Sequence, residues 1–108
     1  MTREQADARF EKYVPKTFKV AHHEGCSDAV CPITGGINLI ISAGNYNNAC
    51  QLSLVTKKGR EIASYPEEIS ENAYEKNPIL RLEKVDAGIA TFLKVNGYEH
   101  LIKPVLGA

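Results

Sequence analysis

A chain of 108 residues with 44% apolar and 24% charged residues has the size and make-up of one soluble globular domain. At that length it buries about two thirds of its unfolded surface and needs no disulfide or metal staple. Thirteen basic residues balance thirteen acidic ones. The basic excess that drives phosphate binding is therefore absent, and with no Trp and three Phe there are few platforms for stacking bases, so nucleic acid is not the expected partner.

The N-terminal stretch MTREQADARFEKYV is charged where a signal peptide needs an apolar core, and no run approaches the length of a membrane span. The expectation is a cytoplasmic protein without membrane contact. Three cysteines, an odd number, argue against a disulfide framework and suit a reducing compartment.

Thr2 to Val14 reads as an amphipathic helix. Thr2 and Gln5 fit a capping box, Ala6, Phe10, Tyr13 and Val14 recur at helical spacing, and Pro15 stops the helix. Thr17 to His23 reads as a strand with Phe18, Val20 and His22 on one face and Lys19, Ala21 and His23 on the other. Glu24 to Gly36, with its glycines, proline and two cysteines, reads as a long loop.

Ile37 to Thr56 is the densest apolar part of the chain and reads as a central hairpin. Ile37, Leu39, Ile40 and Ile41 lie on one side of the polar turn Gly44–Asn48, and Cys50, Leu52, Leu54 and Val55 on the other. Lys57-Lys58-Gly59-Arg60 marks a second reversal into a short strand, Glu61 to Tyr65. Pro66 to Lys76 reads as a short inserted helix, with proline suited to its first position and Glu67 and Glu68 near the positive end of its dipole.

The last thirty residues read as a three-strand meander. Leu80 and Leu82 alternate with Arg81 and Glu83, Asp86-Ala87-Gly88 turns the chain, and Asn96-Gly97 has the composition of a type I′ hairpin turn. That turn would set Lys94 opposite Glu99. The fold class expected is mainly β (α+β), a single domain over residues 1–108. Its architecture is a compact antiparallel sheet, sandwich or half-open barrel of about seven short strands, with an N-terminal helix and one inserted helix.

One dense cluster of reactive side chains stands out: His22, His23, Glu24, Cys26, Asp28 and Cys31. Cysteine and imidazole are natural zinc ligands, and an imidazole beside a thiol activates it, so His22, His23, Cys26 and Cys31 form the metal or redox alternative. A tight loop would also permit a Cys26–Cys31 disulfide. Against these, the second pair of a zinc motif is missing, no nucleophile signature surrounds either cysteine, and free cysteine is commonly a small buried hydrophobe. Thr34-Gly35-Gly36 leads into a strand rather than a helix and reads as a turn, not a phosphate loop. In the register set by Asn96-Gly97, His100 faces Leu93, which offers a general base no carboxylate to orient it.

No cofactor motif, metal motif or catalytic motif is present, so the chain reads as a non-enzymatic binding module of the inhibitor, immunity or accessory-subunit type. Its expected partner is another protein. The surfaces expected to carry the contact are the loop Glu24–Gly36, the polar turn Gly44–Asn48 with Asn45, Tyr46 and Asn47 at its tip and the tyrosine as anchor, and the acidic face Glu67, Glu68, Glu71 and Glu75. An exposed edge strand would also allow homo-oligomers by strand pairing.

Overall fold

The computed structural model describes residues 2–44, 49–66 and 80–107. Its element order is α1 (Arg3–Tyr13), β1 (Lys19–His23), β2 (Cys26–Thr34), β3 (Ile37–Gly44), β4 (Ala49–Thr56), β5 (Glu61–Tyr65), β6 (Leu80–Arg81), α2 (Val85–Val95) and α3 (Ile102–Leu106). Single 3-10 turns, Leu82–Lys84 and Glu99–Leu101, precede the last two helices.

All six strands belong to one antiparallel sheet in the order β1-β2-β3-β4-β5, with β6 also on β4. β5 pairs with β4 from Leu52 to Val55, and β6 with Ala49 and Cys50. The outer side of β4 is thus shared end to end by two separate segments. Among the described residues β1 and β5 do not pair, so the sheet is open. Of the three forms expected, the compact antiparallel sheet is the one found, and the described helices cover one face of it; the sandwich and the half-open barrel are not formed among the described residues.

Register builds the core as three rows of side chains. Val20, Ala29, Ile41, Leu52 and Tyr65 lie side by side in the middle row. His22, Ser27, Ala43, Cys50 and Leu80 form the row at one end. Cys31, Leu39, Leu54 and Ala63 form the row at the other. Leu39, Ile41 and Leu52 are fully buried, and each such side chain contributes about 1.5–3 kcal/mol through its removal from water. Phe10, Ile89, Phe92, Leu93 and Val105 cover these rows from the helices.

The capping box of α1 forms as expected. The Gln5 N–H donates to Thr2 Oγ1 at 3.1 Å and the Thr2 N–H to Gln5 Oε1 at 2.9 Å. Val14, held in extended conformation before Pro15, closes the helix. The hairpin strands of Ile37–Thr56 and the strand Glu61–Tyr65 are also found. Two corrections stand out.

The long loop Glu24–Gly36 is mostly a nine-residue strand, β2. Gly25, at φ +87°, turns the chain immediately after β1, and Ser27, Ala29 and Cys31 then face the core. These small inward residues do not look like an apolar face in sequence, although their period is two.

The C-terminal meander is helical. Val85, Gly88, Ile89, Phe92 and Leu93 are buried along one stripe of α2. Gly88 is not a turn residue. A Cβ there would stand 2.6 Å from Leu80 Cδ1, so glycine allows α2 to lie directly on β6. Asn96-Gly97 does not turn a hairpin, and the Lys94–Glu99 pairing is not formed. Gly97, at φ +86°, closes α2 in a Schellman motif. The Tyr98 N–H donates to the Leu93 carbonyl at 2.7 Å and the Gly97 N–H to the Lys94 carbonyl at 3.2 Å. Pro104 lies in the first turn of α3, where a missing N–H is tolerated. The Thr17 hydroxyl donates to the Val105 carbonyl and ties α3 to the start of the sheet.

The strand count among the described residues is six rather than seven. The expected inserted helix falls, beyond Pro66, outside the described residues, as do Asn45, Tyr46, Asn47, Glu67, Glu68, Glu71 and Glu75.

Candidate functional site

His22 and His23 are neighbours on β1, and strand geometry sends them to opposite faces of the sheet. His22 points under α1. Its Nδ1 lies 2.7 Å from Ser27 Oγ and its Nε2 3.2 Å from Glu11 Oε1. Asp7 Oδ1 stands 3.3 Å from Nδ1 as an ion-pair contact, and this buried oxygen has no hydrogen-bond partner. Phe10 meets the imidazole edge-on at a centroid distance of 6.2 Å. Helical spacing places Asp7, Phe10 and Glu11 on the face of α1 turned toward β1.

A serine, a histidine and carboxylates in this order resemble the parts of a hydrolytic triad. Ser27, however, is only 2% exposed, so its hydroxyl has no open side from which to meet a substrate. The arrangement instead fastens α1 to the edge of the sheet through polar contacts.

His23 points to the face that no described helix covers. Its Nε2 lies 3.1 Å from Asp28 Oδ2, and Asp28 Oδ1 accepts a hydrogen bond from the Ser42 hydroxyl at 3.1 Å. Cys26 stands directly across from His23 in the β1–β2 register and is half-buried. Cβ atoms of such opposed residues are about 4.5–5.5 Å apart.

The cluster seen in sequence is therefore divided. His23, Cys26 and Asp28 share the open face, whereas His22 and Cys31 lie on the covered one. Cys26 and Cys31 are five positions apart on one strand, about 3.3 Å per residue, and point in opposite directions, which rules out a bond between them. All three cysteines are free. Among the described residues no three histidine, cysteine or acidic side chains are grouped to hold a metal ion.

Cys31 and Cys50 are buried members of the core. Burial pushes the Cys31 thiol up, partly offset by a hydrogen bond with Thr17. Burial, reinforced by the nearby Glu83 carboxylate, pushes Cys50 up to about 12. Both thiols stay protonated and inert at neutral pH. His100 is exposed on the turn before α3. Gly35 and Gly36, both at positive φ, make the β2–β3 turn as read from sequence.

A second surface was not read from the sequence. A groove of about 550 Å³ runs between β5 and α2, lined by residues that include Ile62, Tyr65, Thr91, Phe92 and Val95. Ile62, 48% exposed, and Val95, 78% exposed, are the large apolar side chains left open to solvent among the described residues, and both border this groove. β5 is a terminal strand of the sheet path, so its outer N–H and C=O groups are unpaired among the described residues. Reading residues 89–95 as a strand hid the groove. The helical spacing of Val85, Ile89, Phe92 and Leu93 would have placed Val95 off the buried stripe.

Comparison with known proteins gave no match among family models, curated proteins or solved structures. No described helix is long and apolar enough to cross a membrane.

Proposed function

We propose that this chain is a small protein-binding module that docks an extended segment of another protein along β5 and into the groove beside α2. The observation that supports this reading is the meeting of three features at one place: a strand edge unpaired among the described residues, a groove, and the exposed apolar pair Ile62 and Val95. A partner strand added to β5 would gain main-chain hydrogen bonds, and one apolar side chain seated between Ile62 and Val95 would give selectivity. An inhibitor, an immunity factor or an accessory subunit would work in this way, by covering a partner rather than by transforming it. Three free cysteines support a reducing, cytoplasmic setting.

The test is selection from a displayed library of random peptides. Wild-type protein should enrich extended peptides with alternating apolar residues, and the double variant Ile62→Lys, Val95→Lys should lose them by at least about tenfold in affinity, or about 1.4 kcal/mol. Equal enrichment by both proteins, or none by the wild type, would sink the proposal. Sedimentation of the purified chain distinguishes a foreign segment from a second copy at the same edge.

A further inference from the structure

We propose that Cys26 is a modification site, the thiol of this chain that reacts with hydroperoxides and other soft electrophiles, and that His23 receives its proton. The three cysteines are not equivalent. Cys31 and Cys50 are each 6% exposed and face the covered core, whereas Cys26 is half-buried on the face that no described helix covers. Register sets His23 opposite Cys26 at the end of the β1–β2 hairpin. Asp28, two residues along the same face, takes the Nε2 side of that imidazole at 3.1 Å and is itself held by Ser42 at 3.1 Å. The chain Ser42, Asp28, His23 fixes one ring nitrogen and leaves Nδ1 to accept a proton. A thiol, an imidazole and an orienting carboxylate are the parts that assisted sulfur nucleophiles require.

With a hydroperoxide the step balances as follows. The Cys26 S–H proton passes to His23 Nδ1, sulfur attacks the terminal peroxide oxygen, the S–O bond forms and the O–O bond breaks. The departing alkoxide or hydroxide takes the proton back from the imidazolium and leaves as alcohol or water. Sulfur is oxidised to the sulfenic acid and the peroxide is reduced. Neither remaining thiol is on the same face, so no internal disulfide follows, and the sulfenic acid awaits an external thiol.

The test is timed alkylation of the folded full-length chain with iodoacetamide, read by peptide mass, and a parallel exposure to hydrogen peroxide with dimedone as sulfenic-acid trap. The expected result is one adduct, at Cys26, formed at least about tenfold faster than at Cys31 or Cys50. His23→Gln should slow it at least about tenfold while the thermal midpoint is unchanged. Asp28→Asn should slow it less, and Asp28→Glu should restore part of the rate, which a merely structural role for Asp28 would not produce. Dimedone should label Cys26 in the wild type and markedly less in His23→Gln. The proposal is overturned if Cys26 reacts no faster in the folded chain than in denaturant, or if His23→Gln reacts at the wild-type rate.

Discussion

The two ends of the sheet are built on opposite principles. At β1 the strand carries Lys19, His22 and His23, and α1 sets Asp7, Phe10 and Glu11 against His22. At β5 the strand carries Ile62, Ala63 and Ser64, and α2 stands behind it with Phe92 against Tyr65 at 6.1 Å between ring centroids and Val95 turned to solvent. Charge at an edge is a common defence against unwanted strand pairing, and β5 has none between Glu61 and Tyr65. One margin lies against its own helix, and the other leaves Ile62 and Val95 in solvent, where the proposed partner segment would dock. Stability should therefore be concentrated at the first and binding at the second.

The largest expected effect is at the closed end. Phe10 is 2% exposed and joins α1 to the core, so Phe10→Ala should cost about 3–5 kcal/mol in urea unfolding. Val95→Ala, at the open end, should stay within about 0.5 kcal/mol. Similar losses at both sites would erase the distinction between the two margins.

The adjacent histidines sharpen it further. His22→Ala leaves the buried Ser27 hydroxyl without its partner and should cost about 1–3 kcal/mol, whereas His23→Ala, on the exposed side, should cost under about 0.5 kcal/mol. Denaturation of the two variants side by side checks this.

An effect that is nil at neutral pH lies between the margins, at Cys50, and appears only in alkali. Its thiol has an ordinary value of 9.0 and is pushed up to about 12 in the fold. Below about pH 9 both folded and unfolded chains keep the proton and stability is unaffected. Between pH 9 and 12 the unfolded chain releases it first, so stability should fall by up to about 1.4 kcal/mol per pH unit. Cys50→Ala should flatten that part of the wild-type profile.

Much of this was readable from residue order, for definite reasons. The Thr2–Gln5 capping box, the stop at Pro15 and the phase that turns His22 inward and His23 outward depend on neighbours within a few positions, and those are on the page in any sequence. What was not legible depended on partners distant in the chain. Ser27, Ala29 and Cys31 look like a loop because they are small and stand among glycines and a proline, and only facing Ala43, Ile41 and Leu39 across the register makes each of them part of the core. Asn96-Gly97 supplies a positive φ that a hairpin and a helix end use equally well, and the buried stripe ahead of it decides between them. Of the candidate site, the reactive residues were found, but a strand where a loop was expected sent Cys26 and Cys31 to opposite faces. The β5–α2 groove escaped for the same reason, since it exists only once α2 is a helix.

The order of strands in space is their order in the chain, with no crossover from β1 to β5. Each strand finds its mate in the segment just made, so loop-closure costs are low and pairing can proceed as the chain leaves the ribosome. The helical lid arrives on a different schedule. α1 is synthesised first, but α2 and α3 come last, and until they dock, the apolar rows lack the cover of Ile89, Phe92, Leu93 and Val105. In the period between those two events apolar surface is exposed to aggregation, and changes that slow the docking of α2, at Gly88 or Leu80 above all, should lower the yield in cells more than the final stability suggests.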